Sequence, residues 1–447
     1  MKRLPLLNWI VQCLFPARAA STTHRLSSIA MLIPLLLALG FESAPIPPTM
    51  AAPQATFTVS NTADELDAGS CSLINAASGA GADGKLSLRE AVCEANNTGA
   101  GPHTITLPAG TYSLTNLDTG ELRIGPAGDI TVNLSGAGAA STIIQQTDGV
   151  DRVFNMDPNL KGNVNITISG VTISGGRSES DHLGGAGIIG GCETPGCPSG
   201  PDSTTIQNSV ITNNHANSTT PNNTTGSGGG VQIIGGNLTI TNVTFTNNTS
   251  GSSQGGAVYY NTHSPSTGSL NITSSVFDGN GMTSNQPGFA GGGALAIVAL
   301  AGSTIHIKFS TFINNSVNNS NPAGFAGGGA IFAQGVLNVE VSTFSGNQAN
   351  GAAGQLAGGG AIQIGNGNAT ITFSRILGNS ASNGPSGLLN NSVAGSTAAI
   401  DNWWGCNGGP GTVGCDTVAN TGAGSGTLTF FPWLTRPLFL VLVMKNP

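Results

Sequence analysis

One nine-residue segment recurs through the middle of this 447-residue chain, and its recurrence constrains the fold more than any other feature. It reads ITNVTFTNN (240–248), ITSSVFDGN (272–280), IKFSTFINN (307–315), VEVSTFSGN (339–347) and ITFSRILGN (371–379). Weaker copies are ISGVTISGG (168–176) and IQNSVITNN (206–214). The aligned apolar residues are Ile173, Ile211, Phe245, Phe277, Phe312, Phe344 and Ile376, at spacings of 38, 34, 32, 35, 32 and 32. A period in this range marks a solenoid or an array of stacked units.

Each copy carries the same internal pattern. Counting back from the Phe, positions −7 and −5 are apolar: Leu238 and Ile240, Leu270 and Ile272, Ile305 and Ile307, Leu337 and Val339. Position −2 is Val243 and then Ser275, Ser310, Ser342 and Ser374. Period-two alternation predicts a strand with one buried face. The phase slips between −5 and −2, which predicts a bend or bulge there. Three residues after the Phe or Ile stands Asn: Asn214, Asn248, Asn280, Asn315, Asn347 and Asn379. Asn tolerates the left-handed backbone that a tight corner needs. If the copies stack in register, these amides can also hydrogen-bond as a ladder. A polar stretch then leads to a Gly cluster and a second apolar run: GGVQII (229–234), GGAVYY (255–260), GGALAI (292–297), GGAIFA (328–333) and GGAIQI (359–364). Glycine beside a strand start permits close approach of stacked backbones. No single unit can bury its apolar side alone, so stacking must create the core.

The architecture expected is all-β: a right-handed, single-stranded parallel β-helix of the pectate-lyase-like kind, with a short N-terminal capping helix. A β-propeller is the competing architecture, but its blades run to about 40–50 residues with tryptophan-type signatures absent from these repeats. The alternating FxxN motif (Phe245–Asn248, Phe277–Asn280, Phe312–Asn315, Phe344–Asn347) and GGA-[VLI] motif (Gly255–Val258, Gly292–Leu295, Gly328–Ile331, Gly359–Ile362) resemble the repeats of the chlamydial polymorphic outer membrane proteins. That resemblance covers roughly 163–380 and implies a secreted, surface or adhesive passenger. About 70 residues follow the last copy, fewer than an eight-stranded membrane barrel with strands of ~10 residues needs, so self-export is not expected.

Four regions are expected. Residues 1–55 carry Lys2, Arg3, Arg18 and Arg25 ahead of an apolar run from Ile29 to Phe41, the pattern of an export signal, with an uncleaved membrane anchor as the alternative. Residues 56–102 form a cap. There Ser87–Ala91 and Glu94–Asn96 resemble the bacterial CSLREA domain, with Leu86 where that family has Cys. Leu88, Ala91, Val92 and Ala95 fall at helical spacing, so 86–96 reads as an amphipathic helix covering the open first coil. Arg89 and Glu90 on it read as a salt-bridged or solvated pair. Residues 103–400 hold the β-helix, its first coils built from TITLPAGTYSL, DITVNLSG and STIIQQ. Residues 401–447 are a C-terminal cap in which Trp403, Trp404 and Trp433 either plug the last coil or stack on sugar rings. The run 438–444 reads as a closing strand.

Without residues 1–55, which include Cys13, six cysteines remain as three local couples: Cys71 with Cys93, Cys192 with Cys197, and Cys406 with Cys415. An even count behind an export signal favours disulfides, although Cys192–Cys197 has loosely zinc-like spacing. No second Cys or His couple supports a metal, and no cofactor is expected. Net charge is −7 and charged residues make up 8% of the chain, which excludes a nucleic-acid partner.

Between 203 and 400 the charged side chains are Asp278, Lys308, Glu340 and Arg375. Lys308 and Glu340 share offset −4 and are expected to neighbour one another. No two acids share an offset, so the carboxylate pair of a glycosidase is missing. Glu179, Asp181 and His182 in one loop offer weak ion ligands, and His215, His263 and His306 read as surface residues. Polar loops at 216–227, 281–290, 316–326 and 348–357 are expected to line one side of the solenoid. The function expected is a secreted or surface β-helix, non-catalytic, contacting polysaccharide or a host or neighbouring cell surface through those loops. A polysaccharide lyase or hydrolase using Lys308 and Glu340, and a structural envelope or sheath component, are the alternatives.

Overall fold

The computed structural model describes residues 54–73, 83–115, 120–159, 162–178, 184–191, 203–217, 226–251, 254–262, 267–421 and 426–437. Residues 1–53 of the expected export segment, Cys192, Cys197, Glu179, Asp181, His182, residues 218–225 of the expected loop 216–227, His263 and the run 438–444 lie outside them. The chain is a parallel β-helix, every coil pairing with the next.

One coil shows the plan. Val258–Asn261 forms face 1, Gly268–Thr273 face 2 and Val276–Asp278 face 3. Val258 and Tyr260, Leu270 and Ile272, and Phe277 point inward and are buried. Identical offsets then meet in register: Leu270 pairs with Ile305, and Ile305 with Leu337. The Phe245, Phe277, Phe312 and Phe344 rings stack with centroids 4.7, 4.6 and 4.9 Å apart and planes within 6° of parallel. That spacing equals the distance between paired strands, so the backbone pitch sets the stack.

The phase slip is a left-handed residue at position −3. Asn208, Asn242, Ser274, Phe309, Val341 and Phe373 all have φ between +49° and +54°. The serine that follows makes a ladder which sequence alternation alone did not suggest. Ser310 Oγ accepts from the Ser275 N–H (3.3 Å) and donates to the Lys308 carbonyl (2.8 Å); Ser342 and Ser374 repeat this.

The asparagines do chain as amides. Asn214 Nδ2 donates to Asn248 Oδ1, Asn248 to Asn280, and Asn280 to Asn315, each at 3.0 Å; Asn315 to Asn347 and Asn347 to Asn379 follow at 2.9 Å. The left-handed conformation expected at these residues belongs instead to the preceding position: Asn213, Asn247, Gly279, Asn314, Gly346 and Gly378. The ladder asparagines must turn their side chains inward, and the residue before them takes the strained backbone. Glycines behave as close approach requires. A β-carbon at Gly256 would lie 2.1 Å from the Gly293 carbonyl oxygen, whereas Gly255 is needed for its φ of +69°.

The polar stretches 281–290, 316–326 and 348–357, read as loops, contain paired strands. Gly281–Ser284, Ser316–Asn319 and Gln348–Gly351 stack in one sheet, and Gly288–Gly291, Gly324–Gly327 and Ala357–Gly358 in another. They form an arm around a small core of Met282, Ala290, Val317, Ala326 and Ala357. Those side chains are too small or too few to stand out as alternation in a Gly- and Asn-rich stretch.

The N-terminal helix spans Leu88–Thr98, with Ser87 and Glu90 forming a reciprocal capping box. Leu88, Ala91, Val92 and Ala95 join the core of the first coils, and Cys71–Cys93 ties the helix to the preceding turn. Arg89 and Glu90 are not a pair. Both are buried, Arg89 gripping Asp64 (Nε to Oδ1 2.6 Å, Nη2 to Oδ2 3.0 Å) and Glu90 accepting from backbone N–H groups. At the far end the Arg375↔Trp403 bridge sets Trp404 beneath Ile376, fully buried, so the Phe column ends in an indole. Asp416 ends the amide ladder, accepting from Asn379 Nδ2 at 2.6 Å, and Cys406–Cys415 closes that loop.

Candidate functional site

Packing decides which surfaces are reachable. On face 1 the outward residues Gln232, Tyr259, Ala296, Phe332 and Gln363 are neighbours in register, and all are buried. The arm lies over them. A β-carbon at Gly358 would lie 2.8 Å from Leu389, and one at Gly291 3.0 Å from the Phe332 ring. Face 1 is therefore closed to a large ligand along these coils.

Face 2 is open. Its outward columns are Thr239, Asn271, His306, Asn338 and Thr370, and Thr241, Thr273, Lys308, Glu340 and Thr372, none of them buried. Lys308 Nζ and Glu340 Oε2 are 2.7 Å apart at side chains 44% and 41% exposed, so the charges neutralise each other. Hydroxyl and amide groups dominate what remains. At one border runs the left-handed corner with Phe309 and Phe373, 38% and 44% exposed, and Val341 between them. At the other lies an open groove of about 420 Å³ lined by Thr262, Leu300, Gln334, Asn366 and Asn368. Its floor includes Gly367, where a β-carbon would fall 2.1 Å from the Gly335 carbonyl oxygen.

Charge concentrates instead at the N-terminal end. Glu121 accepts from Arg152 Nη1 (3.0 Å), Arg123 Nε (3.0 Å) and Asn155 Nδ2 (2.8 Å). Burial alone pushes its carboxyl up, but Arg152, Asn155 and Arg123 together hold it below the ordinary range. Asp151 is pushed up to about 6 by burial, then by its hydrogen bond to Asp148 and the Asp148 and Glu121 charges, with Arg152 opposing. A cleft of about 320 Å³ lies beside Glu121, Arg123, Asn96 and the Cys71–Cys93 disulfide. Glu121 is held as an ionised acceptor by three donors, which suits an anchor and not a proton donor.

The residues singled out by sequence separate into two sets. The Asn and Phe columns are interior and hold the coil together. Lys308 and Glu340 are brought together on face 2, with His306 beside them in register with Asn271 and Asn338. Asp278 lies on face 3 and accepts from Asn314 Nδ2 at 3.3 Å. His215 sits at the start of the arm, hydrogen-bonded to Thr249. Trp403 is half-buried under the Arg375 guanidinium, 5.5 Å from its ring centroid. Trp433 packs against the core, over Gly409. Sequence reasoning placed a bend between −5 and −2 but did not single out the exposed Phe309, Val341 and Phe373 in it, although the change from Asn208, Asn242 and Ser274 at the same offset is visible there.

No protein-family model matches the chain, and no curated protein matches it. Solved structures similar to it include the Agl-KA catalytic domain, at 15% identity over 74% of this chain and 62% of that one, with a TM-score of 0.31. Another is ORF18 of Geobacillus virus E2, at 12% identity over 74% of this chain and 53% of that one, with a TM-score of 0.29. The chain spans less than two thirds of either structure. Its own strand pairing, from Ala55–Thr58 through Thr427–Thr429, is what defines it as a parallel β-solenoid.

Proposed function

We propose that this chain is an exported, non-catalytic β-solenoid that contacts neutral carbohydrate through face 2. The observation that carries this reading is an uncovered sheet face, continuous over five coils, whose side chains are hydroxyls and amides apart from His306 and whose two charges pair internally. Such groups hydrogen-bond sugar hydroxyls without a counter-charge. The arm, which sequence placed as the contacting loops, instead shields face 1, so contact moves to face 2.

Export is supported by the leader pattern, by the resemblance of Ser87–Ala91 to a secreted-protein domain, and by two disulfides, which persist in oxidising compartments. Among the described residues no helix is long and apolar enough to cross a membrane. A hydrolase on face 2 would need a second carboxylate near Glu340. Between 203 and 372 that face offers Glu340 alone among the described residues.

The test is retention of purified protein on neutral and acidic polysaccharides, with the supernatant assayed for reducing and unsaturated ends. Retention on neutral polymers without product release is expected. Product release that disappears in the Lys308→Ala, Glu340→Ala variant would establish the hydrolase or lyase alternative, and absence of retention would contradict the carbohydrate reading.

A further inference from the structure

We propose that the corner formed by Phe309, Val341 and Phe373 is a ring-stacking subsite for an extended, uncharged polysaccharide chain lying along the solenoid axis at the edge of face 2. This rests on the carbohydrate reading above and assigns it to particular side chains.

The backbone supplies the first observation. Phe309, Val341 and Phe373 have φ of +52°, +50° and +52°, a region that bulky and β-branched residues avoid. The fold does not require apolar residues there. The same corner is built from Asn208, Asn242 and Ser274 in earlier coils and from Asp401 in the next. Strain of this kind concentrates at functional sites. Exposure is the second observation, because the rings so placed stay 38% and 44% exposed instead of joining the core.

Geometry gives the third. The two rings are two coils apart, about 9–10 Å along the axis from the strand spacing. The backbone of the corner is anchored to the next coil: the Phe309 N–H donates to the Glu340 carbonyl (3.2 Å) and the Val341 N–H to the Thr372 carbonyl (3.1 Å). On its face 2 side the strip is bordered by the column Thr273, Lys308, Glu340 and Thr372, whose two charges pair with each other.

The same facts disfavour other occupants. The adjoining cations are engaged, Lys308 with Glu340 and Arg375, two residues past Phe373, over the Trp403 ring, so the strip disfavours an anionic polymer or lipid headgroup. Roughly 200 Å² of ring and Val surface is exposed, if a Phe side chain offers 150–250 Å² in all. A second copy of this chain would need about 800 Å² per partner. Planar apolar faces beside a neutralised ion pair and threonine hydroxyls suit sugar rings.

The test uses the full exported chain, wild type and Phe309→Asn with Phe373→Asn, titrated with cello-, xylo- and manno-oligosaccharides by calorimetry. Asn already serves this corner at Asn208 and Asn242, so the thermal midpoint is expected to hold or rise. Affinity is expected to fall roughly tenfold for each ring lost. Equal binding by wild type and variant overturns the subsite while leaving the face 2 reading standing. No binding by wild type overturns both. Should the Asn pair lower the midpoint, Phe309→Leu with Phe373→Leu keeps apolar bulk without the planar face. Its affinity must still fall, and unchanged affinity overturns the proposal.

Discussion

Asn314 and Asn315 are adjacent, yet the structure gives them opposite roles, and mutating each exposes the difference. Asn315 is fully buried. Its Oδ1 accepts from the Asn280 N–H and Nδ2, both at 3.0 Å, and its Nδ2 donates to the Phe277 carbonyl at 3.0 Å and Asn347 Oδ1 at 2.9 Å. Asn315→Ala removes all four bonds and strands the Asn280 N–H in a dry interior. At about 1 kcal/mol per bond, and more for a stranded buried donor, the loss is about 4 kcal/mol. Asn314 is exposed with φ +54°, and its equivalents in other coils include Gly279, Gly346 and Gly378. Asn314→Gly is therefore expected to shift stability by less than about 1 kcal/mol, since the conformation suits glycine. Urea unfolding followed by far-ultraviolet circular dichroism measures both. Coils couple mainly to their neighbours, so the Asn315 loss shows as an earlier midpoint or a shoulder. Equal effects at the two positions, or a loss under about 1 kcal/mol at Asn315, would refute the assignment of ladder and corner.

Other outcomes follow from the same packing. Phe277 lies between two stacked rings, so Phe277→Ala is expected to cost about 4 kcal/mol in denaturant unfolding and Phe277→Leu much less; similar costs would mean the column is not close-packed. Asp151 has a folded pKa of about 6 against an ordinary 3.8. Its protonated form thus favours the folded state below pH 4, and that contribution is lost as pH rises through 6. Asp151→Asn is expected to flatten this part of the pH–stability curve and to add about 1 kcal/mol at neutral pH, after discounting for its partial exposure; a steeper curve in the variant would contradict it. Replacing Cys71 and Cys93 by Ser is expected to lower stability by about 3 kcal/mol and speed amide exchange in Leu88–Thr98. Unchanged exchange in the helix would show that the bridge does not hold the cap.

The Phe column, the amide ladder and the Gly approach were legible because each recurs at one offset in a 32- to 35-residue period. The serine ladder lay at a visible offset but looked like ordinary alternation. Asn247 and Asn248, or Asn314 and Asn315, cannot be told apart by type, since both a left-handed corner and a buried amide favour Asn. The contacts of Arg89 with Asp64 and of Arg152 with Glu121 join residues 25 and 31 apart in non-repeating sequence, so no periodicity announces them. The phase slip placed a bend between −5 and −2, but Phe309, Val341 and Phe373 have the intrinsic preferences of strand residues, and only the backbone shows that they take its left-handed position. The arm escaped notice because its strands are short and built from Gly, Ala, Asn and Ser.

Register between neighbouring coils is the claim on which the rest depends, and disulfide trapping measures it directly. Thr311 pairs with Thr343 on the outward side of face 3. The strand spacing puts their α-carbons about 5 Å apart, within disulfide reach. Thr311 and Ser345 are displaced by two residues along the strand, about 8 Å apart and out of reach. Under mild oxidation, Thr311→Cys with Thr343→Cys is expected to give the cross-linked peptide by mass spectrometry, and Thr311→Cys with Ser345→Cys to remain reduced. The reverse pattern, or equal yields from the two pairs, would contradict the stacked register.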